Sequence, residues 1–381
     1  MATLILHIGP PKCGSSSIQT FFANQKSPCF QNTNYKMLNP KSISELNHIK
    51  SDQEILDVFS QRLSKWLSEC DNLIISHEYL FQCPYAIKNI CELANNVATK
   101  IFVVGYTRRQ SDIIISAYSQ WDFRSKPQLN RSIDILEKLK IDPFLFSGLE
   151  QHLIAGIVED FYNFGQLNYT NYSKTRLIDW YESYNYIVQL IFETNSIIKI
   201  GVLPNKHAGI SLLEDFCEKV QLKIRDQMVE ESKKIVNVSY NGDVVEAVFN
   251  AVALGFDMPG PHEKNDFLDL LTEKMNKKSR QNSVFIANLK TYIDSIFLSS
   301  NHKLCQEYGL NESYFECSEQ FNKKEILNLI KIEGDLRASN KSLIVRDYRK
   351  LSANMVSLCL KLLSNKDEDC LAVKLKNSNI E

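Results

Sequence analysis

Four short runs of apolar residues stand out along the chain, and each is flanked by polar or turn-forming residues. They are Leu4–Ile8, Leu73–Ser76, Ile101–Tyr106 and Ile197–Leu203. Runs of this length without apolar–polar alternation are typical of strands that are buried on both faces, as in a parallel sheet. The pattern therefore predicts four parallel strands.

Segments with the helical period follow three of these strands, because apolar residues recur there at spacings of three and four. The positions are Ile18, Phe21 and Phe22 after the first strand, Ile113, Ile114, Ala117, Tyr118 and Trp121 after the third, and Leu212, Leu213, Phe216 and Val220 after the fourth. Alternating strands and helices predict an α/β fold with a central parallel sheet flanked by helices.

From about residue 240 onward the pattern is helical only. The predicted helices are Asp243–Leu254, Phe267–Met275, Val284–Leu298, Lys324–Ile332 and Leu351–Leu363. We expect one domain over residues 1–365. It has an α/β core at 1–225 and a mostly helical extension at 226–365, and the polar residues 366–381 form a flexible tail.

Composition narrows the class of protein. The 381 residues are 44% hydrophobic and 23% charged, which is ordinary for a globular protein. Lys and Arg number 44 against 45 Asp and Glu, so bulk charge predicts no nucleic-acid partner. No apolar run reaches the roughly 18–20 residues of a membrane span, the first residues lack a basic signal-peptide region, and the 10 cysteines form no C-x-x-C pair. We expect a cytoplasmic protein without a transmembrane segment or a metal site.

The most informative segment is Gly9–Ser17, which lies between the first strand and an amphipathic helix. Its sequence is Gly-Pro-Pro-Lys-Cys-Gly-Ser-Ser-Ser. A glycine-containing turn from strand to helix presents backbone N–H groups and the positive end of a helix dipole, and both favour a phosphate. Serines at a helix start can cap the helix and can also donate to phosphate oxygens. The segment predicts a phosphate-binding loop.

The loop departs from the Walker A pattern of nucleoside triphosphatases, G-x-x-x-x-G-K-[ST]. Gly9 and Gly14 have the required spacing, but Ser15 stands at the lysine position and the lysine is Lys12. No strand carries a convincing aspartate for Mg²⁺ at its end. A nucleotide kinase or nucleoside triphosphatase with an unusual loop stays open as an alternative. So does a non-catalytic binding module on the same fold.

The run from Pro11 to Ser16 resembles the 5′-phosphosulfate-binding loop, P-K-[ST]-G-[ST]-[ST], of sulfotransferases that use 3′-phosphoadenosine 5′-phosphosulfate (PAPS). Cys13 replaces the usual hydroxyl residue. The resemblance implies a P-loop-like sulfotransferase fold with a nucleotide-binding core and PAPS as co-substrate. It also assigns the phosphosulfate contacts to Lys12, Cys13, Gly14, Ser15, Ser16 and Ser17, with Lys12 also stabilising charge during transfer.

A second element of the family is an arginine after the third predicted strand and a serine eight residues later, which together bind the 3′-phosphate. Arg108 and Ser116 have that spacing. An arginine at a helix start is unfavourable for the helix dipole, and an anionic ligand offsets that penalty. The chain departs from the common R-D-P sequence with Arg108-Arg109-Gln110, and Ile113 stands where many members have a second arginine. Arg109 is a candidate for the missing charge.

The third element follows the second predicted strand, where Ser76 is succeeded by His77 and Glu78. Ligands of parallel sheets bind at the carboxyl ends of strands. Transfer to a hydroxyl needs a base for the acceptor proton, and both side chains can serve near pH 7. Strand alternation predicts that only one of them faces the substrate. Glu78 is the first candidate for the base and His77 the second.

Weaker similarities follow in the order of the family. Tyr172–Tyr181 resembles a helix that precedes the fourth strand, and Ala338–Lys341 with Tyr348 resembles a C-terminal element. The resemblance implies metal-independent transfer of a sulfuryl group from PAPS to a hydroxyl-bearing acceptor, a glycan or another metabolite. The preference for a carbohydrate comes from the resemblance alone.

Overall fold

The structure is a computed structural model that describes residues 2–24, 32–48, 53–159, 178–203, 211–223, 240, 242–253, 283–317 and 321–340. It has an α/β fold with a five-stranded, all-parallel central sheet and flanking helices. The strands are β1 (Thr3–His7), β2 (Thr33–Met37), β3 (Asn72–Ser76), β4 (Lys100–Thr107) and β5 (Ser196–Val202).

The described helices lie between and after these strands, and none of them is long and apolar enough to cross a membrane. They are α1 (Ser15–Asn24), α2 (Pro40–His48), α3 (Gln53–Ser68), α4 (Pro84–Ala94), α5 (Gln110–Tyr118), α6 (Lys126–Lys138), α7 (Gly148–Val158), α8 (Trp180–Ile191), α9 (Leu212–Lys219), α10 (Gly242–Ala253), α11 (Val284–Ile296), α12 (Leu298–Tyr308) and α13 (Lys323–Ser339). Short 3₁₀ turns cover Glu78–Gln82, Asp122–Arg124, Pro143–Leu145 and Glu312–Tyr314.

The strand order is β2-β3-β1-β4-β5, so β1 lies in the centre of the sheet. In the register, His7 is opposite Ser76 of β3 and Val104 of β4. After β1 the chain continues to β2, at one edge of the sheet, and after β4 it continues to β5, at the other edge. The connections that follow β1 and β4 therefore run in opposite directions. Such a reversal opens a crevice at the carboxyl ends of the two strands, and that crevice is the usual ligand site of open parallel sheets.

Four of the five strands are those predicted. The apolar residues of β1, β3 and β4 are buried, as Leu4, Ile5 and Leu6 in β1 illustrate. The prediction of burial on both faces is wrong for β5, which lies at an edge of the sheet and leaves Ile197 42% exposed. The sequence prediction missed β2. Its sequence Thr-Asn-Tyr-Lys-Met lies at the edge of the sheet and is only half-buried, so it carries no apolar run. Edge strands are exposed on one side and therefore do not need one.

Several helix predictions need correction. The helix α5 ends at Tyr118, so Trp121 lies beyond it at the start of a 3₁₀ turn. The predicted helix Val284–Leu298 is α11, which ends at Ile296, and Phe297 is the N-cap of a separate helix, α12, that the sequence did not predict. Phe267–Met275, Leu351–Leu363 and the predicted tail 366–381 lie outside the described residues.

The chain divides into two compact units. The first comprises Met1–Ala117, Glu159–Ser239 and Lys290–Phe321 and contains the whole sheet. Its core forms around β1, β3 and β4, whose apolar side chains pack against α1, α4, α8 and α9. Because the central strands are covered on both faces, their only exposed parts are the strand ends and the loops that follow them.

The second unit comprises Tyr118–Val158, Tyr240–Leu289 and Asn322–Glu381. The helix α7 is buried on every face from Gly148 to Ile157. Its N-terminal N–H, on Gly148, donates to both carboxylate oxygens of Glu246 at 3.2 and 3.1 Å. Arg337 of α13 makes two hydrogen bonds of 2.8 Å to Glu150 of α7. Polar side chains of other helices thus fix both the start of α7 and its contact with α13.

Candidate functional site

The residues singled out from the sequence come after the carboxyl ends of three neighbouring strands. The segment Gly9–Ser17 follows β1, His77 and Glu78 follow β3, and Arg108 follows β4. Because β1 pairs with both β3 and β4, the three segments leave the sheet side by side. The sheet topology alone therefore brings the loop, the two candidate bases and the arginine to one edge.

The loop after β1 has an unusual backbone at two positions. Lys12 has φ +66° and Gly14 has φ +88°. A left-handed conformation at a residue with a side chain costs about 1–2 kcal/mol. Gly14 needs to be glycine for a second reason, since a Cβ atom there would collide with Leu212 Cδ2 and lie 2.8 Å from Leu203 Cδ1. Left-handed residues in a tight turn direct successive N–H groups into one concavity, a geometry that binds anions.

The N–H groups of Gly14, Ser15 and Ser16 make no hydrogen bond within the part of the chain that the structure describes. The N–H of Ser17 is the first with a helical partner, donating to the Gly14 carbonyl at 3.0 Å. No acidic residue occupies the first turn of α1. The three free donors therefore lie at the positive end of the helix dipole, and the first turn of α1 adds no carboxylate that would neutralise it.

Two residues of the loop, Cys13 and Ser15, have buried side chains and hydrogen bonds within the loop itself. The buried hydroxyl of Ser15 donates to the carbonyls of Gly9 and Pro10 at 3.2 and 3.1 Å, and so closes the turn. The thiol of Cys13 is fully buried, and the Cys13 N–H donates to Pro10 O at 3.3 Å. In this structure, Ser15 offers a ligand only its N–H, and Cys13 offers neither its side chain nor its N–H.

The remaining loop residues are more accessible. Lys12, Ser16 and Ser17 are half-buried. The hydroxyls of Ser16 and Ser17 have no hydrogen-bond partner among the described residues. They are therefore available as donors next to the three free N–H groups.

Arg108 reaches from the end of β4 to this loop. Its Nη1 donates to the Lys12 carbonyl at a long 3.4 Å, and no described carboxylate pairs with it. Burial raises the pKa of the Cys13 thiol. The Arg108 guanidinium opposes that rise, and the Glu78 carboxylate adds to it. Arg108 and Glu78, from different strands, thus both lie close enough to the loop to act on Cys13.

Arg109 and Ser116 differ in what they offer. The Arg109 guanidinium donates to the carbonyls of Tyr314 at 2.8 Å and Glu316 at 3.1 Å, so its charge is held against the backbone rather than left for a ligand. Ser116 lies on α5, half-buried, and its hydroxyl has no hydrogen-bond partner among the described residues. Ser116 stays available, whereas Arg109 is already engaged.

The two candidate bases have different surroundings. The Nδ1 atom of His77 accepts a hydrogen bond from the Tyr79 N–H at 3.0 Å and caps the 3₁₀ turn Glu78–Gln82. Burial also lowers the pKa of His77. With its Nδ1 lone pair engaged, the neutral ring carries its proton on Nε2. Glu78 is half-buried at the first position of the turn.

His7 is a polar residue at this edge that the sequence prediction did not single out. It is the last residue of β1 and is buried, with Nδ1 2.7 Å from the Ser76 hydroxyl, to which Gln19 also donates at 3.3 Å. Its Nε2 has no partner among the described residues. A Cβ atom on Gly9 would lie 2.7 Å from that nitrogen. A histidine inside an apolar run was the signal that could have identified it.

The weaker sequence similarities are only partly covered. Residues 172–177, Lys341 and Tyr348 lie outside the described residues. Trp180 begins α8, and its indole N–H donates to the Arg108 carbonyl at 2.8 Å. Ser339 is the last residue of α13 and Asn340 its C-cap. Within the described residues, no group of three or more His, Cys, Asp or Glu side chains could hold a metal ion.

Comparison of the chain with protein-family models, with curated proteins and with solved structures gives no match in any of the three.

Proposed function

We propose that this protein is a PAPS-dependent sulfotransferase with a P-loop-like fold that acts on a hydroxyl-bearing acceptor. The observation that carries the proposal is the cluster of free donors at one end of α1. The N–H groups of Gly14, Ser15 and Ser16 have no partner in the described chain, and Arg108 reaches the same loop without a described carboxylate beside it. Such a cluster suits a ligand with more than one anionic group.

The loop fits the 5′ side of the nucleotide. Three N–H donors and the hydroxyls of Ser16 and Ser17 can surround a tetrahedral anion, and the half-buried Lys12 adds a positive charge. When bound, PAPS supplies an activated sulfuryl group whose leaving group is a phosphate. Donors held in place by a helix and a tight turn stabilise charge on that phosphate without reorganising, which is the main electrostatic contribution to such catalysis.

Arg108 and Ser116 fit the 3′-phosphate. A planar guanidinium binds a phosphate through two parallel hydrogen bonds, and a hydroxyl adds a third donor. Both side chains belong to the segment that leaves the end of β4, and neither has a strong partner in the described chain. Since ATP has no 3′-phosphate, these two residues would select PAPS over ATP.

Glu78 is the better base of the two candidates. His77 would have to give up its bond to the Tyr79 N–H before its Nδ1 could accept a proton, and its Nε2 already carries one. The Glu78 carboxylate has two oxygens with several acceptor sites, so it can accept the proton of the acceptor hydroxyl and keep its contacts within the protein. The hydroxyl oxygen then forms a bond to sulfur as the bond from sulfur to the phosphate oxygen breaks, and adenosine 3′,5′-diphosphate leaves.

The alternative of a nucleoside triphosphatase is less well supported. In the Walker A spacing Ser15 takes the position of the lysine, and its buried hydroxyl is bonded to Gly9 and Pro10. It can therefore neither carry nor replace the charge that a triphosphate needs there. The carbohydrate acceptor and the cytoplasmic location stay predictions from the sequence.

Calorimetric binding of adenosine 3′,5′-diphosphate tests the proposal. ATP and GTP, each with and without Mg²⁺, are the comparison ligands. The variants are Lys12→Ala and Arg108→Ala, and Arg62→Ala on the exposed face of α3 is the matched control. We expect micromolar, metal-independent binding of the diphosphate that both site variants lose and the control keeps. Binding of a triphosphate with Mg²⁺, without binding of the diphosphate, would overturn the proposal in favour of the kinase class.

A further inference from the structure

The residues on either side of Arg108 are held in place by a distant part of the chain. The paired amides of Gln110 and Asn301 exchange two hydrogen bonds of 2.9 and 3.0 Å. Asp112 forms an ion pair with Lys290 at 3.0 Å. Arg109 donates to the carbonyls of Tyr314 and Glu316, which follow α12 along the chain. Arg108 differs from these neighbours, because within the described ranges its guanidinium makes a single hydrogen bond, the long one to the loop.

Asp294 of α11 is the centre of this anchoring. Its carboxylate accepts the Ser111 N–H at 2.9 Å and the Ser111 hydroxyl at 2.8 Å. Both residues are buried, and Arg109 Nη1 lies 4.0 Å from the same carboxylate. Asp294 thus acts as an N-terminal cap on α5 that comes from another helix, and it carries the negative charge that this end of a helix favours.

We propose that Asp294 is a positioning residue for Arg108, and so for the 3′-phosphate of the nucleotide. This inference rests on the function proposed above. Two consecutive arginines at the start of α5 would repel each other and the helix dipole. The Asp294 carboxylate offsets that repulsion and draws Arg109 toward itself and the carbonyls of Tyr314 and Glu316.

The two arginines therefore have different roles. Arg109 fixes the backbone, and Arg108 is left as the arginine that faces the phosphate loop. The Trp180 indole N–H holds the Arg108 carbonyl from the other side. An arginine whose backbone is fixed at both its own carbonyl and the next helical turn loses less conformational freedom on binding a phosphate, and preorganisation of this kind increases affinity.

The test is a double-mutant cycle between Asp294→Asn and Arg108→Ala, measured by calorimetry with adenosine 3′,5′-diphosphate and with adenosine 5′-monophosphate. Asparagine keeps the shape of the side chain and removes its charge. We expect Asp294→Asn to weaken diphosphate binding about tenfold and monophosphate binding less than twofold. In the Arg108→Ala background it should have no further effect, because residues that act through one contact are not additive.

Two further variants separate positioning from general damage. Ser111→Ala removes one of the two bonds to Asp294 and should weaken diphosphate binding in the same direction by a smaller factor. Asn95→Ala removes a hydrogen bond to the Asn195 N–H at the opposite, amino-terminal end of the strands and should leave both affinities unchanged. Melting curves establish that each variant is folded.

The outcomes distinguish this inference from the proposed function. If the unaltered protein fails to bind the diphosphate, the proposed function fails and this inference falls with it. If the unaltered protein binds and Arg108→Ala weakens binding, but Asp294→Asn binds as tightly as the unaltered protein, only the positioning role is overturned. Additive effects of the two substitutions, or equal losses for the diphosphate and the monophosphate, overturn it as well.

Discussion

The Nδ1 atom of His77 accepts the backbone N–H of Tyr79 at 3.0 Å. This bond gives His77 a structural task at the start of the turn that carries Glu78. The sequence did not distinguish His77 from Glu78 as the base. In the structure His77 stabilises the turn, and Glu78 has a carboxylate that can take a proton.

The first prediction concerns these two residues. Glu78→Gln should lower the rate of sulfuryl transfer by about 10²–10⁴-fold, the usual contribution of a general base, and leave diphosphate affinity nearly unchanged. His77→Asn should keep most of the activity, because asparagine can accept the Tyr79 N–H in the same capping position. The measurement is release of adenosine 3′,5′-diphosphate from PAPS, with the best acceptor of a glycan panel. A larger loss in His77→Asn than in Glu78→Gln would reverse the assignment.

The second prediction concerns the left-handed backbone of Lys12. Lys12→Ala and Lys12→Gly both remove the side-chain charge and should both abolish transfer. Their stabilities should differ, because alanine keeps the strain of a positive φ and glycine does not. We expect a free energy of unfolding about 1 kcal/mol higher for Lys12→Gly in urea titrations. Equal stabilities would mean that the loop relaxes once the lysine is removed.

The third prediction compares two glycines with positive φ. A Cβ on Gly14 would collide with Leu212, whereas a Cβ on Gly309, with φ +64°, would meet nothing within 4 Å. Gly309→Ala should therefore cost only the conformational penalty of about 1 kcal/mol, and Gly14→Ala should cost clearly more in the same urea titration. Gly14→Ala should also lose diphosphate binding, and Gly309→Ala should keep it. A stability of Gly14→Ala equal to that of Gly309→Ala would show that Leu212 and Leu203 move aside.

The fourth prediction is a pH dependence of stability. Burial raises the pKa of the Glu246 carboxyl from 4.5 to about 7; the bond from the Gly148 N–H opposes this rise and the nearby Glu150 adds to it. Between pH 4.5 and about 7 the Glu246 carboxyl ionises in the unfolded chain but keeps its proton in the folded protein. Its contribution to the free energy of unfolding is therefore complete below pH 4.5 and is lost as the pH rises through about 7. The free energy of unfolding should fall by up to about 3 kcal/mol over this window.

Glu246→Gln is the control for that decline. Its amide oxygen can still accept the Gly148 N–H but does not titrate. Urea titrations at pH 5, 6, 7 and 8 should show a flatter profile for the variant than for the unaltered protein. An identical decline in both proteins would assign the pH dependence to other groups.

The elements that the sequence predicted best are those in which successive residues meet the same physical requirement, such as burial on both faces of a strand. The strands β1, β3 and β4 are buried on both faces, so each reads as an apolar run, and the loop after β1 has its glycine and serines at positions dictated by the turn. The edge strand β2 is half-buried and leaves no such pattern. The order of the strands in the sheet likewise depends on pairings between distant segments, which periodicity does not encode.

The same distinction applies to the candidate site. The proximity of Lys12 and Arg108 could be predicted, because each lies in a local sequence pattern directly after a strand, and the bond from Arg108 to the Lys12 carbonyl joins them. Asp294 could not, because it meets Ser111 across 183 positions of the chain. Nor does the sequence reveal that the Ser15 hydroxyl closes the turn or that Arg109 is bonded to carbonyls. Local patterns identify residue types that suit a ligand, and tertiary contacts decide which of them are free to bind it.

The central position of β1 has a consequence for when the loop Gly9–Ser17 can unfold. The strand is hydrogen-bonded on both sides, to β3 and to β4, and its apolar side chains are fully buried. Strands of this kind exchange their amide protons with solvent only when the whole unit unfolds. The loop is attached directly to that strand, so fraying at the sheet edges leaves it intact. A ligand held there is lost through its own dissociation or through global unfolding, and its binding energy adds to the stability of the entire sheet.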